Sequence, residues 1–76
     1  MSGLLSEVRD SKRLPPPALA RAIRSAAGVS QARVATELGV HRVTVARWEE
    51  GTRRPRGQHL RAYVQLLTEL SKVSAA

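Results

Sequence analysis

The sequence predicts a small all-α fold, a bundle of four to five helices in one chain of 76 residues. Two observations predict it. Apolar residues recur at intervals of three and four along several stretches, which is the spacing of one helical face. Glycines and prolines separate these stretches, where helices begin or end. A chain of this length buries about 60% of its unfolded surface, so it has room for one small core.

The composition restricts both the core and the partners. Trp48 and Tyr63 are the only aromatic residues, so leucine, valine, isoleucine and alanine must fill the core. The absence of cysteine excludes disulfides and cysteine-ligated zinc, and it fits a reducing compartment. No apolar run approaches the roughly 18 residues of a membrane span, so we expect a cytoplasmic protein. A net charge of +7 indicates an anionic partner, nucleic acid first and an acidic membrane second.

The N-terminal segment, residues 1–14, allows two interpretations. Leu4, Leu5 and Val8 share one face at helical spacing, which predicts a short helix. The alternative is a frayed basic arm, because chain termini are often poorly ordered. The structured domain is therefore expected to begin at residue 15.

Three prolines, residues 15–17, end any helix from the N-terminal side. Pro16 or Pro17 can occupy the first position of the next helix, where the missing N–H costs nothing. We prefer this role to a polyproline ligand for an SH3-like module. The next helix ends at Gly28, and its apolar residues recur with one-face spacing: Leu19, Ala22, Ile23 and Ala26.

Residues 30–51 predict two short helices joined by a tight turn. Ser30 caps the first helix, because its side-chain oxygen can accept a backbone N–H of the first turn. Gly39 follows that helix, at a position that glycine fills in the left-handed conformation at least steric cost. Val45 and Trp48, three residues apart, form the inner face of the second helix. This arrangement is a helix-turn-helix, whose second helix commonly reads DNA.

The same pair of apolar positions occurs at the start of both helices. Val29 and Val40 each precede a cap position, and Val34 and Val45 each lie at the fourth helical position that follows. Both pairs match a hydrophobic staple, which sets the angle at which the chain enters a helix.

A polar loop and a long helix are predicted after residue 51. The loop covers residues 52–57, and the helix covers about 58–72. One apolar stripe of this helix is expected in the core: Leu60, Tyr63, Val64 and Leu67. A second apolar stripe consists of Leu66, Leu70 and Val73. It is a candidate dimer face, because so small a domain cannot easily bury both stripes. Residues 74–76 are expected to fray, so the helix-turn-helix domain is predicted over 15–73.

The chain resembles the lambda-repressor-like, Cro/C1-type (XRE) helix-turn-helix family over roughly residues 18–67. The matching motifs are Ile23-Arg24, Gly28-Val29-Ser30-Gln31, Val34-Ala35, Leu38-Gly39-Val40, Thr44-Val45, Trp48-Glu49-Glu50-Gly51 and Arg53-Arg54-Pro55. The sequence departs from the family at His41, where Ser, Thr or Gly is usual, and it ends before the family's usual fifth helix. The resemblance implies a regulator of transcription that binds double-stranded DNA, as a homodimer that forms in solution or only on DNA.

The predicted recognition helix, at about 42–50, carries the candidate base-reading residues Arg42, Val43 and Arg47. They occupy helix positions 1, 2 and 6, which project outward when Val45 and Trp48 turn to the core. Arginine can donate two hydrogen bonds to guanine, and valine can contact a thymine methyl. The alternative is that both arginines touch only phosphates.

Five further residues are candidate contacts to the DNA backbone: Gln31, Thr44, Arg53, Arg54 and Arg56. The three loop arginines form a candidate phosphate clamp, and Arg56 can also reach a minor-groove edge. Thr44 can instead bond within its own helix. The family resemblance implies that Gln31 lies against a phosphate and supports the first side chain of the recognition helix. Residues 41–61 hold six arginines, which places the excess charge around the expected DNA face.

The resemblance also implies a structural ion pair between Arg24 and Glu49, which would join the first helix of the domain to the recognition helix. We expect no metal site, since His41 and His59 have no acidic or cysteine partner at ligand spacing. No nucleophile–base set, paired acids or phosphate-binding glycine motif is present, so we expect no enzyme, no cofactor and no small-molecule ligand. The preferred interpretation is a Cro/C1-like repressor, plausibly of phage or prophage origin. One alternative is an antitoxin that binds its own promoter and also binds a toxin through the last helix, with Leu66, Leu70 and Val73 facing the toxin. The other is an excisionase-like factor that bends DNA.

Overall fold

The computed structural model describes residues 2–75 as five helices, which confirms the all-α prediction. In chain order they are α1 Ser2–Arg13, α2 Pro17–Ala26, α3 Gln31–Leu38, α4 Arg42–Glu50 and α5 Gly57–Ala75. Of the two alternatives for the N-terminal segment, the structure has a helix. Met1 and Ala76 lie outside the described residues.

Helix α5 is the centre of the packing. It contacts α1, α2 and α3, while α4 packs against α3 and α2. The rings of Trp48 and Tyr63 meet with their centres 4.8 Å apart and their planes at 44°. Around them lies one connected core of small and branched residues: Ala20, Val34, Ala35, Val45 and Leu67. Leu60 and Val64 are also buried.

The local signals at the helix-turn-helix place its two helices. The Ser30 hydroxyl accepts a hydrogen bond from the backbone N–H of Arg33 at 3.0 Å, which confirms the predicted cap. Gly39 has φ of 70°, so the turn uses the left-handed conformation that favours glycine. His41 occupies the N-cap position of α4, but its side chain makes no capping hydrogen bond.

The same side chains that begin the helices also reach the core. Val29 and Val40 are half-buried against it, while Val34 and Val45 are fully buried. This burial is what the two predicted staples require.

The buried face of α2 differs from the predicted one. Leu19, which was assigned to the inner stripe, is 50% exposed, and the fully buried residue is its neighbour Ala20. Ile23 and Arg24 are half-buried beside it. Ala22 and Ala26, the other predicted members of the stripe, are exposed, whereas Arg24 lies inward and contacts Glu49 of α4.

Helix α1 carries its apolar face outward. Leu4 is 70% exposed and Leu5 is 60% exposed. Its polar face meets the rest of the domain, where Glu7 accepts a hydrogen bond from the backbone N–H of Gly57 at 3.4 Å. Asp10 lies 3.7 Å from Nε of Arg61, and the Ser11 hydroxyl accepts a hydrogen bond from Nη2 of Arg54 at 3.1 Å. Polar contacts, rather than the predicted apolar stripe, therefore attach α1.

Helix α5 continues to Ala75, three residues beyond the predicted end at Lys72. The predicted fraying of residues 74–76 stays a prediction. Of the candidate dimer face, Leu66 packs against the protein's own core, Leu70 is half-buried, and Val73 is exposed. The surplus apolar surface on α5 is thus smaller than the sequence indicates.

Replacement of Tyr63 by phenylalanine is expected to change the free energy of unfolding by less than about 1 kcal/mol. The Tyr63 hydroxyl is buried and has no hydrogen-bond partner among the described residues, so the substitution keeps the ring and loses no protein hydrogen bond. The measurement is the urea midpoint of both proteins. A loss of more than about 2 kcal/mol would show that the hydroxyl is bonded in the native state.

The same burial raises the pKa of Tyr63 to about 12. The unfolded chain ionises this phenol near its ordinary pKa of 10.0, so the folded state should lose stability as the pH rises above that value. The Tyr63→Phe protein lacks this titration and should lose less stability between pH 10 and 12.

Candidate nucleic-acid interface

Helix α4 presents the three predicted reading side chains to solvent. Arg42, Val43 and Arg47 are all exposed, while Val45 and Trp48 on the opposite side of the helix are buried. The helix spans Arg42–Glu50, as predicted. Because the core fixes the inner face, the outward direction of Val43 and Arg47 follows from helical geometry. Arg42 is exposed because it is the first residue of α4.

Gln31 connects the first reading residue to the interior. Its side-chain oxygen accepts a hydrogen bond from Nη1 of Arg42 at 3.2 Å, and its Nε2 donates to Oε1 of Glu49 at 3.0 Å. A glutamine supplies both a donor and an acceptor, which this double role requires. Arg42 is thereby held at the start of α4 by a residue at the start of α3.

Arg24 and Glu49 form the ion pair that the family resemblance implies. Nε of Arg24 donates to Oε2 of Glu49 at 2.6 Å, and Nη2 donates to Oε1 at 3.0 Å, so the pair is bidentate. The Glu49 side chain is 3% exposed and that of Arg24 is 13% exposed. Nη1 of Arg24 also donates to the Val29 carbonyl at 2.8 Å, so the same guanidinium joins α2, the entry to α3, and α4.

The surroundings of this pair stabilise both charges. Burial raises the pKa of Glu49, but hydrogen bonds from Arg24 and Gln31 and the positive charges of Arg24 and Arg21 outweigh it, so the pKa lies below its ordinary value. The hydrogen bond to Glu49 raises the pKa of Arg24 and outweighs the opposing effect of burial. Glu49 therefore stays ionised, and the adjacent cations balance its negative charge.

The loop after α4 forms one wall of a basic groove of about 950 Å³. Gly51, with φ of 82°, ends α4, and the buried Pro55 anchors the loop between Arg54 and Arg56. The exposed arginines of the loop line the groove together with residues of α4 and α5: Arg53, Arg54, Arg56, Thr44, Arg47 and His59. The structure thus brings together the predicted loop clamp, Thr44 and Arg47.

The structure places two residues, His59 and Arg61, differently from the prediction made from the sequence. His59, which was assigned only a cap or loop role, lies on the first turn of α5 and lines the groove. His59 follows the arginine loop by only two residues after Gly57, and this short distance in the sequence indicates that its side chain can lie beside the loop. Arg61, which was counted with the DNA-facing arginines, lies about 160° around α5 from His59 and faces Asp10 of α1 instead.

Two helices joined by a glycine turn, with exposed arginines on the second, define a helix-turn-helix nucleic-acid-binding domain. A family model described as helix-turn-helix matches residues 21–71. The chain belongs to the Cro/C1-type (XRE-like) helix-turn-helix family of DNA-binding domains. Comparison with curated proteins and with solved structures gives no significant match.

Neither a membrane span nor a metal site is found in the described part of the chain. Among the described helices, none combines the length and the hydropathy needed to cross a bilayer. Within the described residues, no three histidines or acidic side chains lie close enough together to hold a metal ion.

Proposed function

We propose that this protein is a sequence-specific regulator of transcription, a Cro/C1-like repressor that occupies an operator in double-stranded DNA through α4. The observation that carries the proposal is the hydrogen-bond chain from the buried Arg24–Glu49 pair through Gln31 to the exposed Arg42. A side chain that is oriented before binding loses less freedom when it binds, which favours a defined base contact. The expected setting is the cytoplasm, with no enzymatic activity and no cofactor.

Base reading is assigned to Arg42, Val43 and Arg47. Arg42 begins the helix and is the main candidate for a bidentate contact with guanine, while the longer reach of Arg47 suits either a base or a phosphate. Gln31, Thr44 and the loop arginines are assigned to the DNA backbone. Gln31 retains an amide N–H for a phosphate, because an amide carries two and Glu49 takes one.

Arg53→Ala should reduce the slope of log K against log salt by about 0.9, and it should weaken binding to selected and scrambled duplexes equally. The reason is that a phosphate contact neutralises charge without reading sequence. The matched control is Lys72→Ala, which removes one exposed charge at the far end of α5. A larger loss on the selected duplex would instead place Arg53 at a base edge.

The operator is expected to be a pseudo-palindrome bound by a homodimer, with half-site centres about 10 bp apart. Leu66, Leu70 and Val73 remain the proposed dimer face, with Val73 as its exposed member. A dimer that forms only on DNA fits so small an apolar surface, since stable interfaces bury about 800 Å² per partner.

Selection of bound duplexes from a random DNA pool tests the proposal most directly. We expect one enriched motif with two inverted halves, and a complex of two chains per duplex by analytical ultracentrifugation. No enriched motif would rule out specific reading. A single unrepeated half-site, bound by one chain, would rule out the two-fold dimer. Tandem motifs with strong DNA bending would instead favour the excisionase-like alternative.

The antitoxin alternative has one observation in its favour, namely the apolar face of α1 that points to solvent. A toxin partner would cover such a face. A stoichiometric partner that co-purifies with the tagged protein and is displaced by Leu5→Glu would favour this alternative. The same substitution should leave DNA binding unchanged if the protein acts alone.

A further inference from the structure

A second basic surface lies between α1 and α5. It is an open groove of about 560 Å³, and its lining includes four cationic side chains: Arg9, Lys12, Arg13 and Arg61. Asp10 is the one acidic residue among those that line it. The groove therefore has an excess of positive charge, and none of its four cations lines the groove beside α4.

This groove and the reading surface lie on different sides of α5. His59, which borders the loop arginines, and Arg61, which borders α1, are about 160° apart around the helix. Helix α1 meets the arginine loop through Ser11, which accepts a hydrogen bond from Arg54, whereas Arg9 and Arg13 are each two residues from Ser11 and so lie on the opposite side of α1. A duplex held by α4 and the loop arginines would therefore leave the α1–α5 groove exposed.

The cations of the groove are available to an external anion. Among the described residues, Arg9, Lys12 and Arg13 have no ion-pair partner. Arg61 is paired with Asp10 only loosely, at 3.7 Å, and its side chain is 64% exposed. Such an exposed pair contributes little, so the Arg61 guanidinium can contact a further oxyanion at small cost.

The spacing of these cations suits a phosphodiester backbone. Arg9 and Arg13 are four residues apart on one helix, a rise of about 6 Å. Phosphates on one DNA strand recur every 3.4 Å along the axis, so the two arginines span about two steps of a strand. An open groove with charges spread along its edge fits an extended polyanion better than a small enclosed ligand, whose site is concave and mostly apolar.

We propose that the α1–α5 groove binds the phosphate backbone of a second DNA duplex, so that one protein molecule can bridge two duplexes. The first duplex occupies α4 and the arginine loop, and the inference rests on that proposed function. The contact in the groove is independent of sequence, because every cation there faces phosphate rather than a base.

The test uses two short duplexes of unrelated random sequence, one attached to beads and one fluorescent, with the full-length protein added. The wild type should retain the fluorescent duplex on the beads. Lys12→Gln with Arg13→Gln should reduce the retained duplex about tenfold or more at low salt, since two lost phosphate contacts lower the salt slope by about 1.8. The matched control is Arg33→Gln with Lys72→Gln, which removes the same charge from exposed positions outside the groove and should retain bridging.

Binding to a single duplex, measured separately by fluorescence anisotropy, distinguishes this inference from the function on which it rests. The groove variant should bind a single duplex as tightly as the control variant does. If the groove variant bridges as well as the wild type, bridging comes from the two reading surfaces of a dimer and the inference is overturned. An equal loss of bridging in the groove variant and the control variant would show that bridging depends only on net charge, which would also overturn the inference. Wild-type binding to one duplex without bridging would also overturn it, whereas no binding to any duplex would refute the proposed function as well. Circular dichroism melts check that both variants fold.

Discussion

Replacement of Glu49 by alanine is expected to lower the free energy of unfolding by about 3 kcal/mol, at the lower end of the cost of stranding one member of a buried ion pair. The carboxylate is almost completely buried and accepts three hydrogen bonds, two from Arg24 and one from Gln31. Without it, the Arg24 guanidinium stays in a largely dry site with the Val29 carbonyl as its remaining partner there. The measurement is equilibrium unfolding in urea.

The neighbouring residue supplies the control. Glu50→Ala removes the same kind of side chain from the same helix, but Glu50 is exposed, so its effect should stay within about 0.5 kcal/mol. If both variants unfold at the wild-type midpoint, the pair between α2 and α4 does not stabilise the domain.

The pH dependence of the same variant gives a second readout. The pKa of Glu49 is lower in the folded state than its ordinary value of 4.5, so the folded chain releases this proton more readily than the unfolded chain. The resulting stabilisation is complete above the unfolded pKa and is lost as the pH falls through the folded pKa. The difference between wild type and Glu49→Ala should therefore shrink below pH 4.5. A constant difference down to acid unfolding would show that the carboxylate is not the group responsible.

Replacement of Arg42 by alanine is expected to weaken binding to the selected operator by about 1–3 kcal/mol and to relax the choice at one base position. Binding to scrambled DNA should weaken much less. The physical reason is that Arg42 lies at the exposed start of α4, where its guanidinium can donate two parallel hydrogen bonds to one guanine. Affinities for both duplexes at several salt concentrations provide the measurement.

Arg42→Lys separates charge from geometry. Lysine keeps the positive charge but lacks the planar fork of guanidinium, so non-specific binding should persist while discrimination falls. Gln31→Ala should produce a smaller loss of the same kind, because it releases Arg42 from its hydrogen bond without removing it. Equal weakening of operator and scrambled DNA by Arg42→Ala would transfer specificity to Val43, Arg47 or DNA shape.

Local chemistry explains why much of the helix-turn-helix could be predicted. Ser30 and Gly39 act through backbone groups within a few residues, so their roles follow from sequence neighbours alone. The outward direction of Val43 and Arg47 follows from the spacing of Val45 and Trp48 in the same way, and Arg42 is exposed as the first residue of the helix. The Arg24–Glu49 pair joins residues 25 positions apart, and only the family resemblance made it predictable.

The sequence by itself determined the all-α class, the turn at Gly39, and the reading face of α4, because each depends on helical period and on caps. Only the tertiary structure decided which side of α2 is buried, on which flank of α5 Arg61 lies, and that α1 meets the domain through Glu7, Asp10 and Ser11. Periodicity shows that residues share a face, but it does not show what that face meets. In α1, contacts with Gly57, Arg61 and Arg54, far away in sequence, turned the polar face inward and left the leucines to solvent.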